Sequence, residues 1–209
     1  MKHTLTYAII TAFCLTTVAL ANVQQSSQGD ESQQPGQVAQ KEEQKAQISL
    51  NEMKKSAALN YIHHVNEMGI ELSKIARAKS QSEEVKQISQ QMLQAHQDSE
   101  QLLNDLSKRE NVKISKYQPA DYEKTVMDQL KDMTGQQFDQ AYLQTMRASH
   151  EMAARDLRAL KASISDPQIK SYISDSLAGV QKYKKTISKM SQGKSMQKQA
   201  AGTASKSTY

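Results

Sequence analysis

GQQFDQAYLQTMRASHEMAARDLRALKASI, residues 135–164, is the stretch that decides the fold. Phe138, Tyr142, Met146, Ala153, Leu157, Leu160 and Ile164 recur in steps that keep to the 3.6-residue period. That period lays one apolar stripe along an α-helix and leaves the other faces polar. Just beyond it, Asp166-Pro167 marks the start of a further helix. An aspartate caps the free N–H groups, and proline suits the first helical position because its missing N–H costs nothing there. The apolar line of that last helix is Ile169, Ile173, Leu177, Val180, Ile187 and Met190, and Gly193 offers a C-terminal stop.

Working back from residue 135, two more helices of similar length appear. One runs over about 51–79 with Ala58, Ile62, Val65, Leu72 and Ile75 on its stripe. The other runs over about 83–108 with Val85, Ile88, Met92, Leu102 and Leu106. Ser82 is its N-cap, and Glu83 and Glu84 sit where the helix dipole favours negative charge. The first and last connections are short and join antiparallel neighbours. The middle one, from about Arg109 to Gly135, is long and holds Pro119 and a short helical pattern over 121–133. Such a crossover lets the second and third long helices run parallel, as in ferritin-like bundles. No stretch alternates apolar and polar residues with period two, so strands are not expected. The fold class is all-α: a ferritin-like four-helix bundle with a long connection carrying a short helix between helices two and three.

The ends read differently. Lys2, the largely apolar run from Leu5 to Leu20, and Ala19-Leu20-Ala21 make residues 1–21 a secretory signal cleaved before Asn22. This places the protein in the periplasm or outside the cell. Residues 22–48 are rich in Gln, Ser and Glu and read as a disordered linker; the bundle domain occupies 49–192 and a disordered basic tail 193–209. The one cysteine, Cys14, leaves with the signal, so the mature chain has no thiol for a disulfide, a metal or a nucleophile. The net charge of +5 falls to +4 without Lys2, and the seven lysines from Lys182 onward leave residues 22–181 at −3. An exported chain of this pattern is not expected to bind nucleic acid, and the tail suits weak contact with an anionic surface.

Chemistry-bearing residues are few. There is no nucleophile elbow, no phosphate loop and no His-Glu-x-x-His helix, so catalysis has no visible carrier. His96 and His150 fall near the middles of helices two and three, beside their apolar stripes, at the same height if those helices are parallel. Tyr183, Glu67 and Glu71 fall at a similar level and are candidate polar interior partners. Imidazoles suit a divalent metal such as Zn, Cu or Fe. Against a di-iron centre, Leu93 and Arg147 stand three residues before the histidines, where a Glu-x-x-His motif needs glutamate. Two readings therefore stay open: a polar niche with no cofactor, or a mononuclear metal site on His96 and His150. The scattered methionines read as core filler, since none sit close together in sequence. His63 and His64 point about 100° apart on one helix, and His64, Glu67 and Glu71 read as a solvated stripe.

Two stretches carry a resemblance. Glu71-Leu-Ser-Lys-Ile-Ala-Arg-Ala-Lys79, Glu84-Val-Lys86 and Met92 to His96 form the first. Gly135-Gln-Gln-Phe-Asp-Gln-Ala-Tyr142 with Met146 and His150 forms the second. Over about residues 55–191 the chain resembles the bacterial family called domain of unknown function 4142. The resemblance implies a ferritin-like, exported protein without an established activity. That family commonly has a histidine where this chain has Tyr183, and a glutamate where it has Gly69. The function expected from these readings is a non-enzymatic cell-envelope binding or stress-related module with an unknown partner or small ligand; mononuclear metal binding or redox work through the bundle histidines is the alternative.

Overall fold

The computed structural model describes residues 35–204, with side chains placed from 38 to 191. The stretch read as a signal sequence, the first part of the segment read as linker and the last five residues lie outside the described residues. Five helices follow in order: α1 (Pro35–Lys79), α2 (Glu83–Arg109), α3 (Asp121–Asp132), α4 (Gly135–Ser163) and α5 (Pro167–Ala204). No strand occurs among the described residues. The fold is the expected all-α, ferritin-like bundle, with α3 carried on the long connection. The pairs α1–α2 and α4–α5 pack most extensively, and looser α1–α4 and α2–α5 contacts join the two hairpins.

Local chemistry sets the helix boundaries. Ser82 caps α2 by accepting from the Val85 N–H at 3.4 Å. Asp166 Oδ1 accepts from the N–H groups of Gln168 and Ile169, which opens α5. Its other oxygen pairs with Lys55 Nζ at 3.2 Å, and Lys55 also reaches Glu110 at 2.9 Å. One half-buried cation thus ties α1 to the end of α2 and the start of α5. In α3, Glu123 Oε2 accepts the Ala120 N–H at 2.7 Å and satisfies a free donor of its first turn.

Three sequence expectations change. α1 does not begin near residue 49 but runs back to Pro35 through the segment read as disordered linker. Every side chain from 38 to 50 is exposed, so no core holds this extension. Its Gln, Glu, Lys and Ala residues are good helix formers that continue a helix already nucleated by packing. Likewise α5 passes Gly193 and ends at Ala204, inside the segment read as a disordered tail. One glycine costs a helix about 1 kcal/mol, which flanking helix formers offset. Finally, Leu102 is 60% exposed, and Leu103 takes its place in the core.

The core is divided. One apolar cluster gathers Ala58, Leu59, Ile62, Leu103, Leu106 and Leu157 with the first half of α5. The other gathers Leu72, Val85, Met92, Phe138, Tyr142 and Met146 with Ile187. The residue order along every long helix puts these clusters at opposite ends of the bundle. A layer with many polar groups lies between them.

Candidate functional site

That layer is built from the four long helices: Asn66 and Gly69 on α1, His96 and Ser99 on α2, His150 on α4, and Tyr172 and Tyr183, about three turns apart, on α5. The His96 and His150 rings come together edge to face with centroids 6.4 Å apart. His150 Nδ1 lies 2.8 Å from the Met146 carbonyl, which can only accept, so Nδ1 carries the proton and Nε2 keeps a free lone pair. His96 Nδ1 faces the Asn66 Oδ1 at 3.4 Å. The Asn66 amide is oriented by its NH₂, which donates to Ser99 Oγ at 3.1 Å and Glu100 Oε2 at 3.2 Å. His96 therefore also presents a bare Nε2, and this atom is buried without a hydrogen-bond partner. Burial, reinforced by repulsion from His150, pushes the His96 imidazole down to about 4. Burial also lowers His150, against the opposing pull of its bond to Met146. Both are neutral imidazoles at neutral pH, the form that ligates metals.

Gly69 explains how His96 fits. A Cβ on Gly69 would overlap the His96 ring, so the imidazole lies against bare α1 backbone. A glutamate at this position could not coexist with the ring where it stands.

Two cavities flank the histidine pair, and Val65, Val180, His96 and His150 line both. The first, about 310 Å³, also takes in His64, Met68, Met146 and Met152. The second, about 320 Å³, is bordered by Ser99, Tyr172, Gly179 and Tyr183. Three methionines that are remote in sequence thus share one cavity with three histidines, which their spacing along the chain gave no means of seeing.

The other candidate residues are placed differently. Tyr183 meets the His150 ring edge-on at 6.3 Å, but its hydroxyl donates to the Gln91 carbonyl at 3.2 Å rather than to a histidine. Glu71 pairs with Lys74 at 2.8 Å and Glu67 turns toward His63 and Glu100; neither borders the two cavities. The two glutamates are therefore not interior partners of His96 and His150, because their positions on α1 face away from that pair. His64, read as part of a solvated stripe, instead bonds the buried Glu123 of α3 at 2.8 Å.

The Gly-x-x-Phe-Asp-x-x-Tyr run turns out to be architectural. Gly135 opens α4 with φ +54°, in the left-handed region that glycine tolerates. Phe138 and Tyr142 are fully buried and stack at 5.9 Å, Asp139 accepts from Ser80 in the α1–α2 turn, and Tyr142 accepts from Ser89 at 3.1 Å. The motif fastens α4 to the first hairpin, at a distance in sequence from either histidine.

The profile of the family described as Domain of unknown function (DUF4142) matches residues 37–190. The chain belongs to this family. No curated protein matches the DUF4142 chain by sequence. Among solved structures, CopM in its Cu(I)-bound form is 14% identical, with a TM-score of 0.57 over 66% of this chain and 96% of CopM. A DUF305 fragment from Deinococcus radiodurans is 10% identical, with a TM-score of 0.58 over 66% and 94% of the two chains. A DUF305 protein from Streptomyces coelicolor, described as a candidate secreted protein, is 14% identical, with a TM-score of 0.56 over 65% and 89%. At these identities the likeness establishes the fold. No described helix is long and apolar enough to cross a membrane.

Proposed function

We propose that this DUF4142 protein is an exported metal-binding module that holds one soft or borderline ion at His96 and His150, with copper the best match. The observation that carries the reading is the buried, unpartnered Nε2 of His96, whose ring lines both cavities. A buried acceptor without a partner costs stability, on the order of 1–3 kcal/mol, and persists where something else uses it. His150 supports the reading from the other side. Its Nδ1–H is held by a backbone carbonyl, the arrangement that fixes a ligating imidazole and directs Nε2 to a metal.

Two imidazoles that share an ion at about 2.0–2.1 Å from each nitrogen have ring centres roughly 5–6.5 Å apart, depending on the angle between them. The observed 6.4 Å lies at the wide end of that range. Met68 and Met146 line the same cavity, and thioethers beside imidazoles favour Cu(I) over harder cations. CopM, named in a Cu(I)-bound form, has the same fold and adds support from outside the chain. Export follows from the signal-like first 21 residues.

The test is a titration of the purified protein with Cu(I) and with Zn²⁺. One equivalent of Cu(I) is expected to bind and to raise the melting temperature. The gain should be about 2.7 kcal/mol at a hundredfold excess over the dissociation constant, and it should vanish in His96→Gln/His150→Gln. A melting temperature indifferent to both metals returns the pair to the role of a metal-free polar niche.

A further inference from the structure

A second group of ligating side chains lies outside the cavities. His63 and Glu67 stand four residues apart on α1 and so share one face, and Glu100 meets them from α2. The potential ligand atoms of these three all lie within 4.8 Å of one another. His63 Nδ1 and Glu100 Oε1 are 2.6 Å apart, and each side chain is only 14% exposed. We propose that His63, Glu67 and Glu100 form a separate site for a divalent cation of the Zn²⁺ class, closer to solvent than the His96–His150 pair.

Distance, charge and ligand type agree. Ligand atoms around a tetrahedral ion at about 2.0–2.2 Å are roughly 3.5 Å apart. The present spacing reaches that value by small side-chain rotations, without moving either helix. Two carboxylates balance the charge of a divalent ion. The imidazole shifts the preference from Mg²⁺ and Ca²⁺ toward Zn²⁺ and its neighbours. Glu67 makes no ion pair of its own among the described residues, so its carboxylate is available. The Glu100 carboxylate is already held through its second oxygen by Asn66, as an outer partner holds a ligating carboxylate. His64 cannot compete, since it is engaged by Glu123 on a different side of α1.

Binding has a proton balance. Nδ1 of His63 now carries the proton shared with Glu100. When the cation takes the Nδ1 lone pair, the ring N–H moves to Nε2, so the imidazole stays neutral and no net proton is released. Water fills the position that the three side chains leave open. Asn66 connects this group to the inner pair, because its NH₂ holds Glu100 while its oxygen faces His96.

The experiment is Zn²⁺ titration by calorimetry. It uses the unmodified protein, Glu67→Gln, His63→Gln and His96→Gln/His150→Gln. The expected result is a Zn²⁺ site that survives the inner double change. Glu67→Gln should weaken it at least tenfold, and His63→Gln should abolish it. Glu67→Gln breaks no ion pair, so its circular dichroism and melting temperature should be unchanged; this keeps the test valid if His63→Gln destabilises the fold. The proposal is overturned if Glu67→Gln binds Zn²⁺ as tightly as the unmodified protein, or if all Zn²⁺ binding disappears with His96 and His150. Because the metal-binding reading of the inner pair is tested by Cu(I) and the double change, either proposal can fail while the other stands.

Discussion

The ends of the bundle and its middle solve opposite problems. At the ends, Leu59, Phe138, Leu157 and Ile169 are sealed from water and need only shape and hydrophobicity. In the middle, Asn66 and His150 are also sealed, but every polar atom there needs a partner. Most find one. Asn66 donates to Ser99, Tyr172 donates to the Ser99 carbonyl at 2.8 Å, and His150 donates to Met146. His96 Nε2 does not. The ends thus supply rigidity, and the middle leaves the His96 Nε2 unsatisfied on a residue that lines two cavities. A bundle built only for stability would fill that layer with leucine.

The contrast can be broken hardest at an end. Phe138→Ala removes a fully buried ring stacked on Tyr142, and chemical denaturation should show a loss of about 3–5 kcal/mol.

Acid should probe the middle. In the metal-free protein His96 titrates at about 4, against 6.5 when exposed. The unfolded chain therefore takes up the proton first as pH falls. The contribution of the neutral imidazole is intact above pH 6.5 and is lost progressively down to about pH 4, up to about 3 kcal/mol in all. His96→Gln should flatten this part of the stability–pH curve, while Phe138→Ala should lower the whole curve without changing its slope. An equal slope in protein with and without His96 would show that the middle layer is no more pH-sensitive than the ends.

Two glycines sharpen the comparison within the layer itself. Gly69→Ala drives a Cβ into the His96 ring and should cost about 1–3 kcal/mol. The loss should be largely relieved when His96→Ala is made as well, the mark of two groups in direct contact. A Cβ on Gly179 meets nothing within 4 Å. Gly179→Ala should therefore stabilise α5 by about 0.8–1 kcal/mol through helix propensity alone. Thermal melts of the three variants distinguish packed glycine from unpacked glycine in one structural layer.

How far the site could be read in advance follows the same physics. His96 and His150 were visible because each sits beside a periodic apolar stripe and a parallel crossover puts them level. Their partners were not. Asn66 is one of many polar residues on α1, and nothing local marks it as the residue joining His96 to Glu100. Glu67 and Glu71 looked alike, yet one faces His63 and the other a surface lysine, since helical residues four apart lean toward different neighbours once a second helix is packed at an angle. Leu102 and Leu103 could be told apart only by carrying the helical phase through from Ile88. The solvated stripe assigned to His64 missed that α3 would cover it and bring a buried Glu123.

What the sequence by itself determined was the set of helices, their order and the caps that start them. The 3.6-residue stripes, Ser82 and Asp166-Pro167 act over a few residues, and local forces suffice to place them. The resemblance to DUF4142 was legible because its clearest motif, Gly135, Phe138, Asp139 and Tyr142, is compact in sequence, although the contacts it makes with Ser80 and Ser89 are tertiary. The tertiary structure alone decided which side chains meet. It gathered Met68, Met146 and Met152 around the histidines, set His96 against Gly69, and brought Glu100 to His63 and Glu67. These encounters depend on the rotation and height of whole helices against one another. Those are fixed by the summed packing of the apolar ends, and no residue in the middle layer carries that information.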